Sequence, residues 1–311
     1  MHRAAASSIC TVLALGAAPG LVGQAAAAEP AARDKPPISA EVLESAQPSD
    51  WRRPDPANTL YLDLPAGRVI IELAPRFAPE HVANIKAMVR EKFFDGLPIG
   101  RVQDNYVTQW GDMDEIRKSE AAKRQLPGET AIAWSPSLPI VKLPDADGYA
   151  AQTGWLDGFP IGVEPTPPAQ VWMTHCYGIV GVGRNDWPDN GSGSELYAVI
   201  GQAPRHLDRN IVLVGRVIRG MELLSSLPRG SGALGFYTDD EKSRRTLIRS
   251  ARLAGEVPAA ERTNLEILRT DTPLFTRYVE ARRNRHESWF VRPAGHIDVC
   301  NLAIPVRDIP R

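Results

Sequence analysis

The sequence predicts a mainly β fold: a closed antiparallel barrel of about eight strands with one or two flanking helices. Short runs of apolar, β-branched and aromatic residues recur between turn signals, as in antiparallel sheets. Helical spacing is rare among these runs, which excludes the alternating strands and helices of a parallel sheet. The 27 Pro and 25 Gly residues add many turns and long loops. A loop-rich insertion and a C-terminal extension complete the prediction.

Composition restricts the class of protein. Among 311 residues, 36 Lys and Arg oppose 37 Asp and Glu, and 43% are hydrophobic. This balance provides a sizeable core and excludes a disordered, collagen-like or disulfide-scaffold chain. The near-zero net charge argues against a dedicated nucleic-acid-binding protein.

The first 28 residues resemble a signal peptide. Arg3 precedes an apolar stretch from Ala4 to about Val22, and Ala26-Ala27-Ala28 forms a suitable cleavage site. Gly and Pro interrupt the stretch, so a membrane span is not expected there. We expect a protein exported to the periplasm or beyond, without membrane insertion after cleavage.

The mature chain begins with a Pro-, Ala- and Ser-rich segment, residues 29–58, that we predict to be a linker or arm. A barrel domain should follow over residues 59–255, interrupted by a loop-rich insertion at about 113–170. Residues 256–311 form the extension. The predicted strands are 59–64, 68–73, 97–102, 106–110, 178–183, 195–200, 211–217 and 246–253, and the predicted helices are 79–91, 221–227 and 274–285.

Two cysteines, Cys176 and Cys300, remain after signal cleavage. An exported protein can form disulfides, so they could pair; two buried free thiols are the alternative. His175 and His296 lie near them, but the spacing does not match the usual zinc sites, so no metal is expected.

Other familiar motifs are incomplete. Gly178 to Gly183 is glycine-rich but lacks the spacing and the following helix of a dinucleotide site. A hydrolase using His175 or His206 would lack a positioned nucleophile.

The segment from Gly100 to Asp112 carries the clearest functional pattern. Arg101 and Gln109 lie eight residues apart, with the same parity, on two strand-like runs joined by a polar turn. This segment resembles the cyclophilin-type peptidyl-prolyl cis-trans isomerases, whose motif has Arg-Val, then an aromatic, an aliphatic residue and Gln before Gly-Asp. The resemblance continues in residues 178–183, 193–197 and 207–217, and it covers about 59–111 and 178–255.

The resemblance implies a cyclophilin-like barrel with Arg101 as the catalytic residue. It implies that Gln109 binds the substrate backbone and that the proline ring enters an apolar cup, to which either Leu196 or Tyr197 contributes. The implied substrate-binding residues are Tyr106, Val107, Gln109, Gly183, Glu195, Leu196, Tyr197, His206, Leu207 and Ile211. Several depart from the usual family pattern: Glu195-Leu196-Tyr197 replaces Gln-Phe-Phe, and His206 replaces a common Trp.

The implied reaction is rotation about X–Pro bonds in unfolded or partly folded exported proteins, which requires neither cofactor nor metal. Arginine suits it because a guanidinium stays charged and can donate to the prolyl nitrogen of the twisted amide. The alternative is a chaperone or scaffold that binds proline-containing segments with weak or no turnover. We expect a monomer.

Overall fold

The computed structural model describes residues 36–309 except Glu115, so the predicted signal peptide lies outside the described residues. The described helices are α1 (Ser39–Glu44), α2 (Pro79–Arg90), α3 (Met221–Ser225) and α4 (Pro273–Arg283). The described strands are β1 (Trp51–Arg52), β2 (Thr59–Leu64), β3 (Gly67–Leu73), β4 (Ile99–Val102), β5 (Val107–Gly111), β6 (Ile132–Ala133), β7 (Val141–Leu143), β8 (Gln152–Leu156), β9 (Phe159–Glu164), β10 (Gln170–Met173), β11 (Ile179–Val182), β12 (Glu195–Val199), β13 (Leu213–Arg219), β14 (Ser250–Leu253), β15 (Leu265–Leu268) and β16 (Val306–Asp308).

Eight strands form one curled antiparallel sheet in the order β14-β2-β3-β13-β11-β12-β5-β4, which we call the main sheet. This confirms the mainly β class. Closure of the barrel is not confirmed, because within the described range no ladder pairs β14 with β4. The backbone amides of Gly96 and Ile99 nevertheless donate to the carbonyls of Ile248 and Thr246, at 2.7 and 2.8 Å, beside those two edge strands.

The β2–β3 hairpin shows how alternation builds the core. Leu60, Leu62 and Leu64 point into the main core, where Val69 and Ile71 of β3 meet them. Tyr61 and Ile70 point to the opposite face and are buried in a smaller cluster that includes Leu265 and Ile267 of the extension. Both faces of this hairpin are therefore covered, which explains why most of its strand residues are buried.

Helix α2 confirms the helix predicted from apolar spacing over residues 79–91. Val82, Ile85, Met88 and Val89 recur at intervals of three and four, and all four side chains are buried in the main core. Pro79 occupies the first turn, where its missing N–H costs no helical hydrogen bond.

The predicted loop-rich insertion also contains regular structure that the sequence analysis did not identify. It contains a five-stranded antiparallel sheet in the order β6-β10-β9-β8-β7. Asp157 and Gly158 join β8 to β9 with φ values of 53° and 86°, the geometry of a tight two-residue hairpin turn. That Asp-Gly pair between apolar runs was a hairpin signal, but the surrounding Pro and Gly residues obscured the alternation.

The segment predicted to be a linker or arm packs against the rest of the chain over residues 36–58. Strand β1 pairs with β15, and β15 pairs with β16, forming a small sheet. Val42 and Trp51 are buried in a second hydrophobic core together with Leu274 and Phe275 of α4. The amphipathic helix predicted in the extension thus exists, and the N-terminal segment supplies part of its packing surface.

A disulfide joins Cys176, which follows β10, to Cys300 in the extension, with a Cα–Cα distance of 4.8 Å across a sequence separation of 124. Among residues 36–309, no helix has both the length and the apolar character needed to cross a membrane.

Candidate active site

Four neighbouring strands of the main sheet place four residues in one row on its outer face. Arg101 of β4 pairs with Gln109 of β5, Gln109 pairs with Tyr197 of β12, and Tyr197 pairs with Gly181 of β11. Side chains alternate along a strand, so the neighbours of these residues point inward. The sequence motif of β5 and the distant segment 195–199 therefore meet at one surface.

Arg101 is held by several contacts on this surface. Its Nη1 donates to the side-chain oxygen of Gln109 at 3.1 Å, and its Nε donates to the carbonyl of Leu234 at 2.7 Å. Nη2 donates to the side-chain oxygen of Gln103. The guanidinium also lies over the ring of Phe236, 5.3 Å from its centroid. The head group is thus fixed before any substrate arrives.

Burial lowers the pKa of Arg101 from its ordinary value. The guanidinium nevertheless remains charged, because arginine is not deprotonated in proteins at ordinary pH. A partly desolvated cation interacts more strongly with a lone pair than one in bulk water does. The position therefore favours a strong hydrogen bond to a substrate atom.

The Gln109 amide is oriented from both ends. Its oxygen accepts from Arg101, and its nitrogen donates to Glu195 Oε2 at 2.7 Å. Gly183 leaves room for this contact: a Cβ there would lie 2.8 Å from the Glu195 Cβ and 3.0 Å from the Gln109 nitrogen. Arg101, Gln109 and Glu195 thus form a continuous polar edge.

An apolar patch lies beside that edge. Val107, Tyr197 and Val199 are buried together, and the partly buried Tyr106 and Ile211 pack against them. We call these five residues the apolar patch. Leu196 is a correction to the sequence interpretation: it points into the main core beside Trp110 and cannot line the patch, because adjacent residues of a strand face opposite sides.

The remaining predicted residues lie on the segment between β12 and β13. His206 is exposed and Leu207 is partly buried, and both belong to a short 3₁₀ turn, Arg205–Leu207. Asp208 follows directly and is buried. This segment leads to Ile211 of the apolar patch, so it borders the patch on the side away from Arg101.

Three contributors were missed by the sequence interpretation. Phe236 and Leu234 contact Arg101 from a turn at residues 233–236, and Gln103 does so from the position just after β4. Gln103 was within the quoted motif, but nothing in the local pattern connected residues 234–236 with Arg101, more than 130 positions earlier. Among the described residues, no group of three or more His, Cys, Asp or Glu side chains could hold a metal ion.

Known proteins resemble this chain in sequence and in fold. A family model described as cyclophilin type peptidyl-prolyl cis-trans isomerase/CLD matches residues 59–252. Relatives in Brucella suis biovar 1 (strain 1330) and Brucella abortus (strain 2308), each named probable peptidyl-prolyl cis-trans isomerase, are 29% identical over 181 residues, covering 58% of this chain and 76% of theirs. The crystal structure of cyclophilin AquaCyp293 from Hirschia baltica is similar with a TM-score of 0.68 and 26% identity, covering 84% of this chain and 94% of that one.

Proposed function

Since the chain belongs to the cyclophilin-type peptidyl-prolyl cis-trans isomerase family and is an enzyme of that class, we propose that Arg101 is its catalytic residue. The substrates are proline-containing segments of unfolded or partly folded proteins. The single observation that supports this most is the pairing of Arg101 with Gln109 beside the apolar patch.

The reaction needs only differential binding. Rotation about an X–Pro bond faces a barrier of ~18–20 kcal/mol, because amide resonance is lost at the twisted state. At the twist, the prolyl nitrogen becomes pyramidal and gains a lone pair. A guanidinium donor binds that nitrogen more strongly than it binds the planar amide, which lowers the barrier.

The contacts of Arg101 suit this task. Its Nε and both terminal nitrogens already have acceptors in Leu234, Gln109 and Gln103. A guanidinium carries five N–H donors, so donors remain for a substrate nitrogen. Folding already orients the guanidinium, so no further entropy is lost when the twisted state forms. The barrier to rotation is lower as a result.

The surrounding residues divide the work of binding. In this proposal the proline ring packs on Val107, Tyr197 and Ile211 of the apolar patch, with Tyr106 at its side. Gln109 and Glu195 bind the substrate backbone along the polar edge next to Gly183. His206 and Leu207 border the patch near Ile211, where they contact the substrate next to the proline in this proposal.

We place the enzyme outside the cytoplasm, on the strength of the signal-like residues 1–28. Uncatalysed prolyl isomerisation takes about 10–100 s, which is slow enough to delay the folding of exported chains. The clients are therefore exported proteins in this proposal.

A protease-free isomerisation assay on a proline tetrapeptide tests the function. The mature protein should accelerate cis–trans exchange at catalytic concentration. Binding of the peptide without faster exchange would instead assign a chaperone or scaffold role, the alternative that the altered residues Glu195 and His206 raise.

A further inference from the structure

A continuous set of buried polar side chains connects the apolar patch with the insertion. We call it the polar network; its members are Tyr197, His175, Asp208, Arg205 and Asp147. The Tyr197 hydroxyl lies 3.0 Å from His175 Nε2, and the two rings are nearly parallel. His175 is completely buried. The network therefore begins at a residue of the patch itself.

The second step joins His175 to Asp208. Both the backbone N–H and Nδ1 of His175 contact Asp208 Oδ1, at 3.0 and 2.9 Å. The tautomer with its proton on Nδ1 satisfies every partner, because Nδ1–H then donates to the carboxylate and Nε2 accepts from the Tyr197 hydroxyl. The carboxylate thus sets which ring nitrogen faces Tyr197.

The third step reaches the insertion. Arg205 Nε donates to Asp208 Oδ2 at 2.6 Å. The two terminal nitrogens of the same guanidinium bind both carboxylate oxygens of Asp147 at 2.9 and 3.0 Å. The side chains of Arg205 and Asp147 are 4% and 3% exposed, so solvent hardly screens this pair. Asp147 lies in the loop that joins β7 to β8 of the insertion sheet.

The network holds the patch from two directions. It fixes the Tyr197 hydroxyl through His175, and it fixes the segment carrying His206 and Leu207 through Arg205 and Asp208. The Tyr197 ring also crosses Gly181 so closely that a Cβ there would lie 2.3 Å from the hydroxyl. The ring therefore has one well-defined orientation, with His175 at its far end.

Burying the Tyr197 hydroxyl costs free energy, and its hydrogen bond to His175 offsets that cost. A buried phenol without a partner loses its hydrogen bonds to water, and His175 supplies the replacement. Contact with a proline ring requires the aromatic ring but not the hydroxyl. We therefore assign the hydroxyl the task of orienting the Tyr197 ring, and the ring itself the task of contacting the proline.

We propose that His175 is a positioning residue of the active site, and that the polar network lets the insertion set the orientation of the Tyr197 ring against the substrate proline. This inference rests on the proposed function, since it assigns the apolar patch to proline binding. The ring packs on proline in the planar and the twisted states alike. Loosening it should therefore raise KM and leave kcat nearly unchanged.

Steady-state isomerisation kinetics at pH 7 test the proposal with two variants at opposite ends of the network. Tyr197→Phe removes one oxygen and keeps the ring, and Asp147→Asn keeps the shape and removes the charge that binds Arg205. Each should raise KM about 3- to 10-fold, the range typical of mutations along a coupled network, while kcat stays within about 2-fold. If Asp147→Asn does not fold, Arg205→Lys replaces it.

Asp145→Asn is the matched control. Asp145 lies two residues from Asp147 and binds both Nε and Nη2 of an arginine, but that arginine is Arg283 of α4, outside the network. This variant should leave KM unchanged. If Asp147 served only to stabilise the fold, Asp147→Asn and Asp145→Asn should behave alike. Both would then reduce the amount of active enzyme and leave KM unchanged.

The double variant Tyr197→Phe/Asp147→Asn completes the test. If one network carries both effects, its KM should be no higher than that of the worse single variant. The proposal would be overturned if the KM increases of the two single variants multiply in the double variant. It would also be overturned by an unchanged KM in Tyr197→Phe, or by an equal rise of KM in Asp145→Asn. Arg101→Ala in the same assay separates the two hypotheses: if it loses activity while KM is unchanged in Tyr197→Phe, only the positioning role fails.

Discussion

Arg101 Nη1 lies 3.1 Å from the side-chain oxygen of Gln109, and the two residues are register partners on adjacent strands. This contact aligns the guanidinium with the edge of the apolar patch, where Tyr197 is the next register partner. A cation, an amide and an aromatic ring thus lie side by side on one face of the sheet. These are the three kinds of group that the proposed mechanism of prolyl isomerisation uses.

Gly181→Ala should reduce activity by displacing the Tyr197 ring. The new methyl group would lie 2.3 Å from the hydroxyl and 2.4 Å from the ring carbon that bears it, so the ring must move. We expect KM to rise and stability to fall by about 1–3 kcal/mol, as in other overpacked sites. Gly148→Ala is the control: among the described residues, apart from Gly148 itself and its two chain neighbours, none has an atom within 4 Å of the added Cβ. Equal kinetics in the two variants would contradict the orientation that we assign to Tyr197.

The pH dependence of kcat/KM should be nearly flat between about pH 6 and pH 8. Arg101 transfers no proton and stays charged throughout this range. Burial raises the pKa of Tyr197, so its hydroxyl also stays protonated. A steep titration near pH 6.5, abolished by His206→Asn, would instead indicate acid–base catalysis by that exposed histidine.

Asp208→Asn should destabilise the protein in a pH-dependent way. Burial alone would raise the pKa of Asp208, but the hydrogen bond from His175 and the charge of Arg205 outweigh it and hold the pKa below its ordinary value. A carboxylate with a lowered folded-state pKa stabilises the fold above its unfolded pKa of about 3.9 and loses this effect as pH falls through the folded value. We expect a loss of about 2–3 kcal/mol at pH 7.

Urea unfolding at pH 7, 4 and 2.5 measures this effect. The difference between wild type and Asp208→Asn should shrink below about pH 4. Asp104→Asn, at a carboxylate that is 79% exposed, should change stability by no more than about 0.5 kcal/mol at each pH. A constant difference between wild type and Asp208→Asn at all three pH values would argue against an ionised Asp208.

Cys300→Ser should lower stability while preserving the reaction. The disulfide closes a separation of 124 residues, and removing such a link typically costs about 2–5 kcal/mol. Neither cysteine belongs to the apolar patch, so kcat/KM should stay within about 2-fold of wild type, and reduced wild type should behave as the variant does. Two thiols that alkylate freely in unreduced, denatured protein would contradict the link.

The pairing of Arg101 with Gln109 was predictable because equal parity on two adjacent strands of one hairpin places both side chains on one face. The sequence could not decide whether Leu196 or Tyr197 lines the apolar patch, since this depends on the register of β12 against β5. The polar network could not be predicted for a similar reason: its members come from four separate segments, and no local spacing connects Asp147 with His175 or Asp208. The insertion sheet was missed although Asp157-Gly158 marked its hairpin.

If Arg101 stabilises the twisted prolyl nitrogen, the Arg101→Ala variant should be defective in the protease-free isomerisation assay. The substitution should lower kcat/KM at least ~10-fold, corresponding to more than ~1.4 kcal/mol of lost transition-state stabilisation. Arg219→Ala is the matched control, because Arg219 lies on β13 and pairs with Asp308 away from the apolar patch. With both variants folded by circular dichroism, only Arg101→Ala should lose isomerase activity; wild-type activity in that variant would rule out a catalytic role for Arg101.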